Sequence, residues 1–196
     1  MILLVDNYDS FSYNLVQLIG SLVNEKENEI KVVRNDEVSV DEILDLNPSH
    51  IILSPGPGKP VDAGICEQLI SAVGGEVPLL GVCLGHQGIC ETFGATVSYA
   101  KVLMHGKQSK VEIDNTVPIF MGLEKIQQVA RYHSLAAIES TMPKFLRVIA
   151  KDLDGEIMAV KHEEYDIYGL QFHPESVLTP NGEQIMKNFL NIRKNN

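Results

Sequence analysis

The sequence predicts an α/β fold, with a mostly parallel central sheet flanked by helices and an additional antiparallel hairpin region. Three observations carry this reading. Four short apolar runs alternate with amphipathic stretches as far as Gly94, the connections between them are short, and the second half switches to strand–turn–strand patterning. Strand–helix repeats joined in this way make right-handed crossovers, which build a parallel sheet covered on both faces.

The elements follow in order from their residues. Ile2-Leu3-Leu4-Val5 is too short and too uniformly apolar for a surface helix, and reads as a strand buried on both faces. Leu15, Leu18, Ile19 and Leu22 have the i, i+3, i+4, i+7 spacing of a helix with one apolar stripe. Ile30, Val32 and Val33 form a second strand. Ser39-Val40-Asp41-Glu42 is a capping box that opens a helix, and Pro48 closes it off. Ile51-Ile52-Leu53 is the third strand, and Ile65, Leu69, Ile70 and Val73 mark a third helix stopped by Gly74-Gly75. Leu79-Leu80-Gly81-Val82 is the fourth strand, followed by a helix reaching Phe93 and a stop at Gly94. Residues 146–150 and 157–162 flank Asp154-Gly155, a two-residue turn signal for a hairpin. Residues 167–172 form another strand. Thr179-Pro180 then supplies an N-cap and a first-turn proline for a last helix carrying Ile185, Met186, Phe189 and Leu190.

Length and composition narrow the classes of function. The 196 residues, 44 % of them apolar and 21 % charged, suit one globular domain spanning 1–196. Lys and Arg number 16 against 26 Asp and Glu, a net charge of −10, with no basic run to reverse it locally. That balance repels nucleic acid and anionic membranes. No apolar stretch approaches the roughly 18 to 20 residues that span a bilayer, and the N-terminal run meets Asp6 without a basic lead. The expectation is a cytoplasmic protein without nucleic-acid or membrane partners. Cys66, Cys83 and Cys90 form no C-x-x-C pair, and Cys83 with His86 is only half a zinc site, so neither a disulfide framework nor a metal is expected.

Chemistry concentrates at Gly81-Val82-Cys83-Leu84-Gly85-His86-Gln87. This small-x-nucleophile-x-small pattern at a strand-to-helix junction has the form of a nucleophile elbow. The turn is strained, and glycines two residues to either side remove Cβ atoms that would clash. The helix N-terminus favours thiolate over thiol, and the Leu84 N–H points to where an oxyanion would form. A buried structural cysteine is the alternative. Gln171-Phe172-His173-Pro174-Glu175 offers the base: i, i+2 alternation aims His173 and Glu175 to one side, with Glu175 holding the imidazole tautomer. The other histidines, His50, His86, His105, His133 and His162, show no comparable arrangement and read as structural or solvated. Ser54-Pro55-Gly56-Pro57-Gly58 is stiff and open to close approach, and could give a second oxyanion N–H. It is no phosphate loop, because Lys59 is followed by Pro60 where Ser or Thr is required.

The order and spacing of S-P-G-P-G, G-x-C-L-G-H-Q and F-H-P-E resemble the class I glutamine amidotransferases. Asp6-Asn7-Tyr8-Asp9-Ser10-Phe11, Leu103-Met104-His105-Gly106-Lys107 and Arg131-Tyr132-His133-Ser134-Leu135 resemble in particular the glutaminase subunits of anthranilate synthase and aminodeoxychorismate synthase. The resemblance runs essentially end to end and implies a flavodoxin-like topology with no cofactor. It implies Cys83 as nucleophile, His173 as base and acid, and Glu175 as its orienter. Gly56, Pro57, Gly58, Leu84, Gln87, Ser134 and Leu135 would hold glutamine or its oxyanion. It also implies a partner synthase subunit that binds chorismate, a dianion poorly served by a −10 chain. Contact segments expected for that partner are residues 7–11 and 103–107. Two other readings remain open on the residues alone: a stand-alone cysteine hydrolase, and a flavodoxin-like binding module with an inert Cys83.

Overall fold

The computed structural model describes residues 1–23, 29–101 and 106–193. Its strands in chain order are β1 (Ile2–Asp6), β2 (Ile30–Arg34), β3 (His50–Leu53), β4 (Leu79–Val82), β5 (Val97–Tyr99), β6 (Lys107–Ile113), β7 (Ile126–Arg131), β8 (Leu135–Ala137), β9 (Leu146–Asp152), β10 (Ile157–His162) and β11 (Ile167–Leu170). The helices are α1 (Ser12–Leu22), α2 (Val40–Asp45), α3 (Cys66–Val73), α4 (Leu84–Thr92) and α5 (Gly182–Leu190). Among the described residues, one sheet runs in the order β2-β1-β3-β4-β11-β10-β9-β6-β7. The half from β2 to β11 is parallel, and the half from β10 to β7 pairs antiparallel. The order 2-1-3-4 followed by a fifth parallel strand is the flavodoxin-like arrangement the sequence implies.

Both faces of the parallel half are covered, which is why its strands are uniformly apolar. On one face Leu4, Ile52, Leu80, Tyr168 and Leu170 meet Leu15 and Ile19 of α1 and Ile185, Met186 and Phe189 of α5. On the other, Leu3, Val5, Ile51, Leu53 and Leu79 meet Ile43 of α2, Leu69, Ile70 and Val73 of α3, and Ile89 of α4. Each fully buried Leu or Ile in these layers contributes about 1.5–3 kcal/mol. The capping box is formed: the Ser39 hydroxyl accepts from the Glu42 N–H, and the Ser39 N–H donates to the Glu42 carboxylate at 2.8 Å. Gly74 ends α3 with φ of 54°. No helix among the described residues is long and apolar enough to cross a membrane.

Two local expectations are corrected. Thr179 does not cap α5, whose N-cap position is Asn181 with no side-chain bond. Its hydroxyl instead donates to the His173 carbonyl at 2.6 Å and accepts from the Ala130 N–H at 2.9 Å. A buried carbonyl and N–H left by the chain crossing outcompete a helix end that water can satisfy. The β9–β10 connection is also longer than Asp154-Gly155 alone. The Gly155 N–H bonds the Asp152 carbonyl, and the Asp152 side chain accepts from the N–H groups of Asp154 and Glu156. Gly155, with φ of 78°, closes a four-residue turn rather than filling the centre of a two-residue one. No sequence expectation applied to β5 to β8: β6 and β7 complete the antiparallel half, and β5 and β8 pair antiparallel in a separate two-stranded sheet.

Candidate active site

The loops after β1, β3 and β4 all leave the carboxyl ends of parallel strands, the edge where open α/β sheets hold their ligands. Cys83 follows β4 directly with φ of 52° and ψ of −99°, a conformation that costs a non-glycine residue about 1–3 kcal/mol. Its flanking glycines are obligatory. A Cβ on Gly81 would lie 2.4 Å from the Gly85 carbonyl, and one on Gly85 would lie 2.7 Å from the Leu53 carbonyl oxygen. The elbow expected from small-x-Cys-x-small is therefore present. Leu84 opens α4, so its N–H has no carbonyl one turn earlier within the helix.

His173 lies just beyond β11, held by its N–H to the Ala130 carbonyl and by Thr179 on its own carbonyl. Its Nδ1 meets Glu175 Oε1 at 2.7 Å, as the alternation across Pro174 predicts. Nε2 is buried with no hydrogen-bond partner among the described residues, yet the ring interacts with the Cys83 sulfur. Burial is the strongest influence on His173 and opposes its charge. The Cys83 sulfur and the Glu175 carboxylate together outweigh it, and the imidazole is pushed up to about 10. Tyr132 packs edge-on against the ring at 4.9 Å, and Phe11 does so at 6.2 Å. A loose Cys–His contact in a site without substrate is common and tightens as the substrate enters.

The remaining expected residues converge unevenly. Gly56 is wedged against the elbow: a Cβ there would meet Asn7 Cβ at 2.6 Å and Leu84 Cδ2 at 2.7 Å. Pro57 and Gly58 are exposed, Gly58 with φ of 80°. Gln87 is buried, and its side-chain N–H group donates to the Leu135 carbonyl at 3.0 Å and to Gln171 Oε1 at 3.2 Å. Ser134 is exposed, and its carbonyl accepts from the Ala100 N–H. A cavity of about 190 Å³ reaches Leu135 from the side of Lys59, Glu91 and Tyr99. A larger one of about 590 Å³, lined by Glu112, Asp114, Lys125 and Lys151 among others, touches none of the expected site residues.

Four residues inside the quoted motifs have roles that the motif reading did not assign. Asn7 is buried and clamps the loop after β3, its N–H bonding Ser54 Oγ and its side chain bonding the Ser54 carbonyl, both at 2.8 Å. It is an anchor, and only Tyr8 to Phe11 of that segment reach the surface. Residues 103–105, the greater part of the second expected contact segment and including His105, lie outside the described residues. His133 is not an isolated structural histidine. Its Nε2 accepts from Arg131 Nε at 3.1 Å and its Nδ1 donates to the Leu135 carbonyl at 2.9 Å, while burial and then Arg131 push it down to about 4. Arg131, fully buried, pairs with Asp152 at 2.6 Å and with Glu156. Gln171, also fully buried, donates to Cys83 Sγ at 3.7 Å. His50, His86 and His162 are buried packing residues, as expected; a Cβ on Gly169 would fall 2.6 Å from His86 Nδ1. No cluster suited to a metal ion occurs among the described residues.

Comparison with known proteins agrees with this geometry. The family model for class-I glutamine amidotransferases matches residues 3–192. The bifunctional protein TrpGD of Thermotoga maritima is 49 % identical over 192 residues, covering 98 % of this chain but only 32 % of that protein. The aminodeoxychorismate/anthranilate synthase component 2 of Bacillus subtilis is 46 % identical over 190 residues, covering 97 % of this chain and 95 % of that protein. This chain thus spans about a third of one relative and nearly the whole of the other. Among solved structures, a candidate GMP synthase component from Thermoplasma acidophilum superposes with a TM-score of 0.84 at 28 % identity, over 96 % of this chain and 91 % of that one. With a family match from one end to the other and the elbow cysteine facing a His–Glu pair, the chain belongs to the class-I glutamine amidotransferases.

Proposed function

We propose that this chain is one glutaminase domain, spanning 1–196, that hydrolyses glutamine and passes ammonia to a separate chorismate-using synthase subunit. The reaction runs through a thioester on Cys83. The Cys83 proton rests on His173 Nε2 before substrate enters, and the thiolate attacks the side-chain amide carbon of glutamine. The oxyanion is held by the Leu84 N–H and by the backbone at Gly56. His173 returns the proton to the departing nitrogen, which leaves as ammonia, and then takes one from water so that hydroxide can cleave the γ-glutamyl thioester. Glu175 keeps Nδ1–H directed at itself and Nε2 directed at the sulfur. Gly56, Pro57, Gly58, Gln87, Ser134 and Leu135 hold the substrate. Since the Gln87 side-chain N–H group is engaged with Leu135 and Gln171, its amide oxygen is the end that meets the α-ammonium group.

The observation that carries this reading is the strained Cys83 whose sulfur interacts with the His173 ring, itself 2.7 Å from Glu175. Relatives named anthranilate synthase component 2 favour anthranilate as the product, and the name of the Bacillus protein adds aminodeoxychorismate as a second one. Exposed Phe11, beside His173, and exposed Tyr8 on the same loop are the surface offered to the synthase, and the reaction belongs in the cytoplasm. Cys83→Ala should abolish glutamine-dependent product formation by the reconstituted complex while ammonium salts still drive it. Equal loss with both nitrogen sources would overturn the assignment.

A further inference from the structure

A chain of hydrogen bonds runs to the Cys83 sulfur with its direction set at every link. The Leu135 carbonyl can only accept, so the end of the Gln87 amide that meets it at 3.0 Å is the NH2 end. The same NH2 lies 3.2 Å from Gln171, so the Gln171 atom facing it is the oxygen. The opposite end of the Gln171 amide, its NH2, is thereby turned to Cys83 Sγ at 3.7 Å. Flipping either amide would set two donors or two acceptors against each other. The Leu135 carbonyl is itself fixed by His133 Nδ1–H, and the His133 ring by the Arg131 guanidinium, a group that can only donate. Asp152 and Glu156 hold Arg131 in place.

We propose that Gln171 is a further catalytic residue: its side-chain amide donates to the Cys83 sulfur and holds it as thiolate, ready to attack. A second donor on the sulfur, opposite in origin to His173, lowers the cost of separating charge in a buried site. Gln171 is fully buried and Cys83 nearly so, which leaves the thiolate few other donors. The inference rests on Cys83 being the nucleophile. It assigns work to a residue that in the sequence is merely the neighbour of Phe172-His173.

The test is the pH profile of Cys83 alkylation by iodoacetamide in the full chain, followed by mass spectrometry of the peptide carrying Cys83. Cys66 and Cys90 are buried thiols, Cys66 pushed up to about 12 by burial and Cys90 also raised, so they react slowly. The other titratable groups at the centre are His173 and Glu175 beyond β11, Tyr132 against the His173 ring and Asp9 after β1, with His133 behind them and Arg131, Asp152 and Glu156 packed around His133. Gln171→Met removes the donor and should shift the profile to higher pH, with alkylation at pH 7 about tenfold slower. Gln171→Glu sets a carboxylate beside the sulfur and should slow it further. Superimposable profiles in folded variants would overturn the proposal. Should either variant fail to fold, the unmutated chain decides: the Gln171 side-chain amide resonance should move when Cys83 is alkylated, and a stationary resonance would overturn the proposal. Alkylation needs neither glutamine nor a partner. A shifted profile in a protein whose Cys83→Ala form still used glutamine would sink the nucleophile assignment and leave the Gln171–sulfur bond standing.

Discussion

Cys83 is held at positive φ by a fit that tolerates no alternative at its neighbours. Gly81→Ala would drive a methyl to 2.4 Å from the Gly85 backbone, where no flexible side chain can yield. The variant should lose glutaminase activity and several degrees of melting temperature together, because the elbow must open to admit the group. Glu175→Gln should behave differently. It keeps shape but removes the charge that favours imidazolium and lets Nδ1 lose its hydrogen, so kcat for glutamine should fall by roughly 100-fold with KM little changed. An unaltered kcat would mean that Glu175 does not orient His173. Both expectations were open to the sequence, since G-x-C-x-G and H-P-E specify local backbone. Gln171 was not, because its partners Gln87 and Cys83 are 84 and 88 positions away in the chain.

The decisive element is the segment between β11 and α5. Its proline and threonine resemble a helix start, yet Thr179 serves the His173 backbone. Thr179→Val should leave the helical content of α5 intact by circular dichroism while stranding a buried carbonyl and N–H, at a cost of about 1–3 kcal/mol. Activity should fall with it, since His173 loses one of its two backbone ties. Ser39→Ala offers the contrast. It removes an exposed cap far from the site, and should cost about 1 kcal/mol by urea denaturation with kcat unchanged. Capping box, glycine stops and apolar stripes were readable because each is local. The antiparallel strands β5 to β8 were not, since their sequences alternate weakly and their pairing depends on partners remote in the chain.

Across the whole molecule, buried imidazoles shape the response to pH. His86 is pushed down to about 3, by burial first and by His133 second, and His133 is pushed down to about 4. Below about 6.5 the unfolded chain takes up protons that the native rings refuse. Stability should therefore fall as pH drops from about 6.5 to 4, with a slope of up to about 1.4 kcal/mol per pH unit for each group. His173 acts in the opposite sense. Its folded value of about 10 exceeds 6.5, so its contribution is complete below pH 6.5 and is lost as pH rises through about 10. Urea midpoints measured from pH 4 to 10 should trace a dome, and His173→Gln should flatten its alkaline limb. An alkaline limb unchanged by that substitution would show that His173 carries no raised charge. The sequence by itself determined the parallel α/β half, the elbow cysteine and its His–Glu partners, because period, turn chemistry and strain are written in neighbouring residues. Only the tertiary structure decided that Asn7 clamps Ser54, that Arg131 and His133 lock an amide relay, and that Gln171 faces the sulfur. Those are meetings of buried polar groups from different elements, and which donor finds which acceptor is settled by how the sheet brings their strands together.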